Sequence, residues 1–129
     1  MDVETEAESL RILLVDDDDA VRGVICRVLV RLGHEVACCS SAAEATELPH
    51  VFDVALVDLN LGSGEGGGHE LVETLRARCP KACFVLTSGA RPDLVPPEEG
   101  GPLFLEKPFS RGELVALLER ARRRLGPSA

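Results

Sequence analysis

The chain has 129 residues, 45% of them apolar and 28% charged, enough for one domain with a real core and too few for two. Fourteen Lys and Arg against 22 Asp and Glu leave a net charge of −8, which argues against a nucleic-acid surface because phosphates would be repelled over most of the molecule. No run of about twenty apolar residues occurs, so no membrane insertion is expected; residues 1–9 lack the basic and apolar regions of a signal peptide and read as a flexible acidic leader of a cytoplasmic protein.

The first element is an apolar run, Ile12–Val15, with no polar alternation, as in a strand buried on both faces of a parallel sheet. It stops on Asp16, Asp17, Asp18 and Asp19, and Asp18 or Asp19 can cap the helix that follows. Val21, Val24, Ile25, Val28, Leu29 and Leu32 then recur at helical spacing until Gly33. Glu35–Cys39 reads as a second strand. Ser40 or Ser41 can cap a short helix through Leu48, which Pro49 terminates.

Asp53–Val57 is a third strand, delivering Asp58. A glycine-rich loop over Gly62–Gly68 leads into a helix with Leu71, Val72 and Leu75 on its inner face, closed by Pro80. Cys83–Thr87 is a fourth strand ending at Thr87, Ser88 and Gly89. Where the alternation calls for another helix, Arg91–Gly101 holds three prolines, and a proline in a helix interior costs about 3 kcal/mol or more. One turn at most is expected there, in an irregular and mobile segment. Leu103–Leu105 is a fifth strand, ending at Glu106, Lys107 and Pro108. The last helix begins after Ser110, with Leu114, Leu117, Leu118, Ala121 and Leu125 on one face, and stops at Gly126–Pro127.

This alternation predicts an α/β fold: a (βα)5, doubly wound, five-stranded parallel sheet in the flavodoxin-like order 2-1-3-4-5, with a degenerate fourth helix. In that order the first and third strands are neighbours, so Asp16, Asp17 and Asp58 share one crevice at the carboxyl edge, where open α/β sheets bind ligands. Crowded carboxylates repel one another and call for a cation or a shared proton. Ser88 or Thr87, and Lys107, reach the same edge. A divalent oxygen-seeking ion, foremost Mg²⁺, would neutralise the acids and leave room for a phosphoryl group. Lys107 and the hydroxyl would supply charge and a donor to phosphoryl oxygens, and one carboxylate can serve as nucleophile.

ILLVDDDD, DVALVDLNL, VLTSG and LEKPFS together resemble the receiver domain of two-component response regulators, over about Leu10 to Leu125. The resemblance implies that Asp58 is the phosphoacceptor, that Asp16 and Asp17 hold Mg²⁺ with Asp58, and that Asn60 lends its backbone carbonyl to the metal. It implies that Lys107 pairs with the phosphoryl group, that Ser88, rather than Thr87, is the switch hydroxyl, and that Phe104 is the aromatic switch. The expected partners are a histidine kinase or histidine phosphotransfer protein and a downstream protein of unknown identity. The expected chemistry is the chain's own phosphorylation and dephosphorylation, not metabolic catalysis. On this reading residues 10–125 are the receiver and residues 126–129 a short tail, belonging either to a single-domain regulator or to a piece of a larger one.

Three features depart from the family pattern. Gly62 replaces the usual proline four residues after Asp58, the fourth helix is degraded, and Phe104 lacks a tyrosine hydroxyl. They motivate an alternative, a receiver-shaped module that binds proteins without phosphorylation. A phosphatase acting on outside substrates is disfavoured because Asn60 stands where a second catalytic acid would be needed.

Other signals are weaker. Gly62, Gly64 and Gly67 spell GxGxxG, but no acid follows about twenty residues later, as a dinucleotide site would want. Cys26, Cys38, Cys39, Cys79 and Cys83 are odd in number and lack a CxxC pair, so they are expected to be reduced and buried, without zinc. The arginines at 120 and 122–124 read as a solvated face with cations at a helix C-terminus. His34, His50 and His69 stand alone and are expected at the surface or in loops, and Glu44 and Glu47 read as exposed charge.

Overall fold

The five apolar runs all become strands of one parallel sheet. A computed structural model describes residues 9–49, 51–61, 67–89 and 101–125, and contains β1 (Arg11–Val15), α1 (Asp19–Arg31), β2 (Glu35–Cys39), α2 (Ala42–Glu47), β3 (Val54–Asp58), α3 (Gly67–Arg78), β4 (Cys83–Ser88), β5 (Leu103–Glu106) and α4 (Arg111–Leu125). The strand order is β2-β1-β3-β4-β5, as the crossover rules predict. Residues 1–8, most of the glycine-rich loop (62–66), His50, the proline-rich segment (90–100) and the tail (126–129) lie outside the described residues. The expected leader, mobile loop and degenerate fourth helix fall there. Among the described residues, no helix is long and apolar enough to cross a membrane.

Period-two alternation divides each strand between two cores. Ile12 and Leu14, Val54 and Leu56, Val85, Leu103 and Leu105 face α1 and α4, where they meet Ile25, Leu29, Leu114, Leu117, Leu118 and Ala121. Leu13 and Val15, Ala55 and Val57, and Phe84 and Leu86 face α2 and α3, meeting Ala45, Leu71, Val72 and Leu75. Burial on both faces explains why, past the exposed Arg11 that opens β1, β1, β3 and β4 stay apolar until they reach the carboxyl edge.

Local signals set the helix ends. Asp18 Oδ1 accepts from the amides of Ala20 and Val21, which closes α1 at its N-terminus. Gly33 ends it with φ of 97°, a conformation that favours glycine. Ser41 Oγ accepts from Glu44 N, and Glu44 in return accepts from Ser40 N and Oγ. Glu44 is therefore exposed but committed to a cap. Ser110 and Glu113 form a reciprocal capping box at α4.

Two expectations need correction. Val24 is 58% exposed: α1 turns only Ile25 and Leu29 fully inward, and Val24 sits on its outer flank. Of the cysteines, none in a disulfide, only Cys39 and Cys83 are buried, whereas Cys38 is exposed because β2 is an edge strand covered less completely than the centre. The Cys38 thiol is pushed up to about 12 by its partial withdrawal from water and by its hydrogen bond with the Cys26 thiol, so little reactive thiolate forms at neutral pH. His34 is half-buried, and its Nδ1 accepts from the Leu10 amide at 3.0 Å, which ties the turn after α1 to the start of β1.

Candidate functional site

β1 and β3 pair in register from Ile12↔Val54 to Val15↔Val57. The residues that follow on each strand, Asp16 and Asp58, therefore emerge side by side at the carboxyl edge. Ligand oxygens of Asp16, Asp17 and Asp58 lie within 4.8 Å of one another. Asp16 is 1% exposed and Asp58 7%, while Asp17 faces water. Lys107 completes the group, its Nζ donating to Asp16 Oδ2 at 2.7 Å and lying 3.8 Å from Asp58 Oδ1.

The backbone fixes these positions. Asp16 N donates to Cys39 O, Leu59 N to Thr87 O and Lys107 N to Ser88 O, so the parallel ladder continues past the apolar runs. That continuation is why β3, β4 and β5 each extend one residue beyond the predicted ends. The Lys107–Pro108 peptide is cis. Asp16 Oδ1 accepts from Asp18 N at 2.9 Å, and Asp58 Oδ1 accepts from Asn60 N at 3.2 Å.

Burial pushes the Asp58 carboxyl above its ordinary range. The Lys107 ammonium and the Asn60 amide pull it back, and the neighbouring Asp16 and Asp17 push it up again. Three carboxylates against one ammonium leave the cluster two charges short of neutral. All three offer hard oxygen donors, which suits a divalent cation of the Mg²⁺ kind.

Thr87 and Ser88 are both buried, at 3% and 1% exposure, and alternation along β4 separates them. Thr87 is the register partner of Asp58 and Ser88 that of Glu106. Thr87 follows Cys83 and Val85 on the α1/α4 side. Ser88 follows Phe84 and Leu86 on the α2/α3 side, where Phe104 also packs. Phe104 is half-buried.

Two contacts escaped the sequence reading. The N-terminus of α3 presses against the end of β3 so closely that a Cβ on Gly68 would lie 2.0 Å from the Asp58 carbonyl oxygen, and one on Gly67 2.2 Å from that of Leu61. The glycine run thus has a steric purpose at its end. Arg22 is the second, donating from Nη1 to the Asp16 carbonyl at 2.8 Å. The acid three residues earlier, Asp19, was its only visible signal.

Comparison with known proteins agrees with this arrangement. The response regulator receiver domain family matches residues 12–119. The chain is 34% identical to the regulatory protein VirG of Agrobacterium tumefaciens, over 95% of this chain and 47% of that protein. It is 31% identical to the DNA-binding transcriptional regulator NtrC of Azospirillum brasilense, over 85% of this chain and 24% of that protein. The chain thus spans about a quarter to a half of the length of these relatives. A CheY-like receiver domain protein from Methanospirillum hungatei superposes with a TM-score of 0.76 at 26% identity, over 91% of this chain and 97% of that one. With its fold, its acidic crevice and the family match over most of its length, the chain belongs to the response regulator receiver domains.

Proposed function

We propose that residues 10–125 form the phosphoacceptor unit of a two-component system and that Asp58 is the residue phosphorylated. The convergence of Asp16, Asp17, Asp58 and Lys107 at one edge carries this reading. A carboxylate Oδ of Asp58 attacks the phosphorus of a phosphohistidine, the P–N bond breaks, and an acyl phosphate and a free imidazole result. Asp16, Asp17 and Asp58, with the Asn60 carbonyl, would hold Mg²⁺, which supplies charge neutralisation for the phosphoryl oxygens.

Lys107 is already placed to neutralise added negative charge. It is anchored to Asp16 and needs to move little to meet an oxygen on Asp58. Ser88 is the switch hydroxyl, supported by its position on the same sheet face as Phe104, and Thr87 plays a packing role opposite. The phosphoryl donor is a histidine kinase or a histidine phosphotransfer protein, and a downstream protein reads the result in the cytoplasm. The chain catalyses its own phosphorylation and dephosphorylation and has no metabolic substrate.

Incubation with Mg²⁺ and a small acyl or amido phosphate, followed by intact-mass measurement, tests the reading. One added phosphoryl group is expected, absent from Asp58→Asn and absent when Mg²⁺ is chelated. No added mass, or one that persists in Asp58→Asn, would return the chain to the phosphorylation-independent binding module.

A further inference from the structure

Of four successive aspartates, Asp16–Asp18 form the turn between β1 and α1 and Asp19 opens the helix. Their mutual repulsion should splay such a turn, yet Asp16 is held at the buried end of the acidic cluster. The Asp18 amide on Asp16 Oδ1 accounts for part of this order. Arg22 supplies another part. Its backbone amide makes the first helical bond of α1, to Asp18 O at 2.9 Å. Its side chain, only 20% exposed, folds back one turn. Nη1 then donates to the Asp16 carbonyl at 2.8 Å and Nη2 to Asp19 Oδ1 at 2.6 Å. A cation this near a helix N-terminus opposes the helix dipole, so its position reflects those two bonds rather than any preference of α1.

We infer that Arg22 is a positioning residue of the acidic site, clamping the β1–α1 turn so that the Asp16 and Asp17 carboxylates converge with Asp58 in the absence of a cation. The inference rests on the proposed Mg²⁺ site. A planar guanidinium can bridge a carbonyl and a carboxylate at once, and an ammonium lacks the fork to do so in the same geometry. Because Arg22 acts through the Asp16 backbone and its charge is matched locally by Asp19, its geometric effect on cation binding outweighs its electrostatic one.

Calorimetric titration of Mg²⁺ at fixed ionic strength into wild type, Arg22→Lys, Arg22→Met and the exposed-face control Arg27→Met tests this, with amide exchange at Asp17 and Asp18 read in metal-free protein. Loss of an outer-shell partner weakens metal binding by about tenfold or more. Both Arg22 variants should show that loss and faster exchange in the turn, while Arg27→Met should match wild type. Mg²⁺ binding that tightens in Arg22→Met and holds in Arg22→Lys would make Arg22 an electrostatic brake and overturn the inference. So would unchanged affinity in both, with only a lower melting midpoint. If wild type itself bound no Mg²⁺, the proposed site would fall and the inference with it, an outcome distinct from the other two.

Discussion

The two ends of the sheet handle charge in opposite ways. At the amino edge, opposite charges and matched donors meet: Arg11 lies 3.4 Å from Asp53, whose Oδ2 also accepts from the Arg11 amide at 2.8 Å. His34 receives the Leu10 amide, and Arg124 donates to the Gly101 carbonyl. At the carboxyl edge, three carboxylates converge with one ammonium to answer two of them, and burial, with the neighbouring Asp16 and Asp17 adding to it, pushes the Asp58 carboxyl upward. The first arrangement costs the fold little because each group is answered. The second stores unfavourable electrostatics where a cation and a phosphoryl group would relieve them. The division teaches that the chemistry sits at the strand ends least favourable to the folded state, with the apolar runs between supplying the stability to hold it there.

Substitutions should separate the two ends. The largest effect is expected from Gly68→Ala, since the added Cβ would meet backbone atoms of Asp58 and Leu59 at 2.0 and 2.7 Å and backbone cannot rotate aside. A loss of about 3 kcal/mol or more in urea unfolding is predicted, together with loss of phosphoryl uptake. Next comes Lys107→Met, which leaves Asp16 buried without its ammonium partner. Removing one partner of a buried pair costs about 3–5 kcal/mol, and with Lys107 one-fifth exposed the low end, about 3 kcal/mol, is expected at neutral pH.

At the amino edge the effects shrink. His34 is held below its ordinary range by burial and then by Arg122, against the opposing pull of Glu119. Its neutral form accepts from Leu10, so the unfolded chain takes up the proton first. The stability it contributes is complete above the ordinary histidine pKa and is lost as pH falls through the lowered value. A drop of about 1 kcal/mol, the worth of one hydrogen bond, is expected there and should be absent in His34→Gln. Arg11→Ala, which breaks an ion pair half open to water, should cost about 0.5 kcal/mol or less and fade in salt.

How much of this was legible before the structure depends on whether a feature is local. Ile12–Val15 and Val54–Val57 announce buried parallel strands because neither contains a polar break, and the aspartates that end them mark the ligand edge. Asp18, Ser41, Ser110 and Gly33 cap or end helices through neighbours within four residues, so their signals lie in the sequence itself. Contacts set by packing were hidden. Nothing in GEGGG says that its last glycine abuts the backbone of Asp58, and nothing near Arg22 says that its guanidinium reaches back to the Asp16 carbonyl. Val24 and Cys38 were misplaced for a related reason: periodicity and strand assignment locate a face, but only the neighbours decide how far that face is covered. His34 lacked any sequence partner because Leu10 lies 24 residues away.

The melting midpoint in metal-free buffer at neutral pH, measured again with Mg²⁺ and beryllofluoride for wild type and Asp58→Asn, tests most directly whether the carboxyl edge is a poised site. Asp58 is raised in the folded state, so its ionisation opposes folding as pH rises through that raised value. Asp58→Asn should therefore start with a higher midpoint than wild type. Wild type should climb when Mg²⁺ and beryllofluoride are added, and Asp58→Asn should not respond to beryllofluoride. A wild-type midpoint that ignores both additions, or an Asp58→Asn protein that follows wild type through them, would contradict the account.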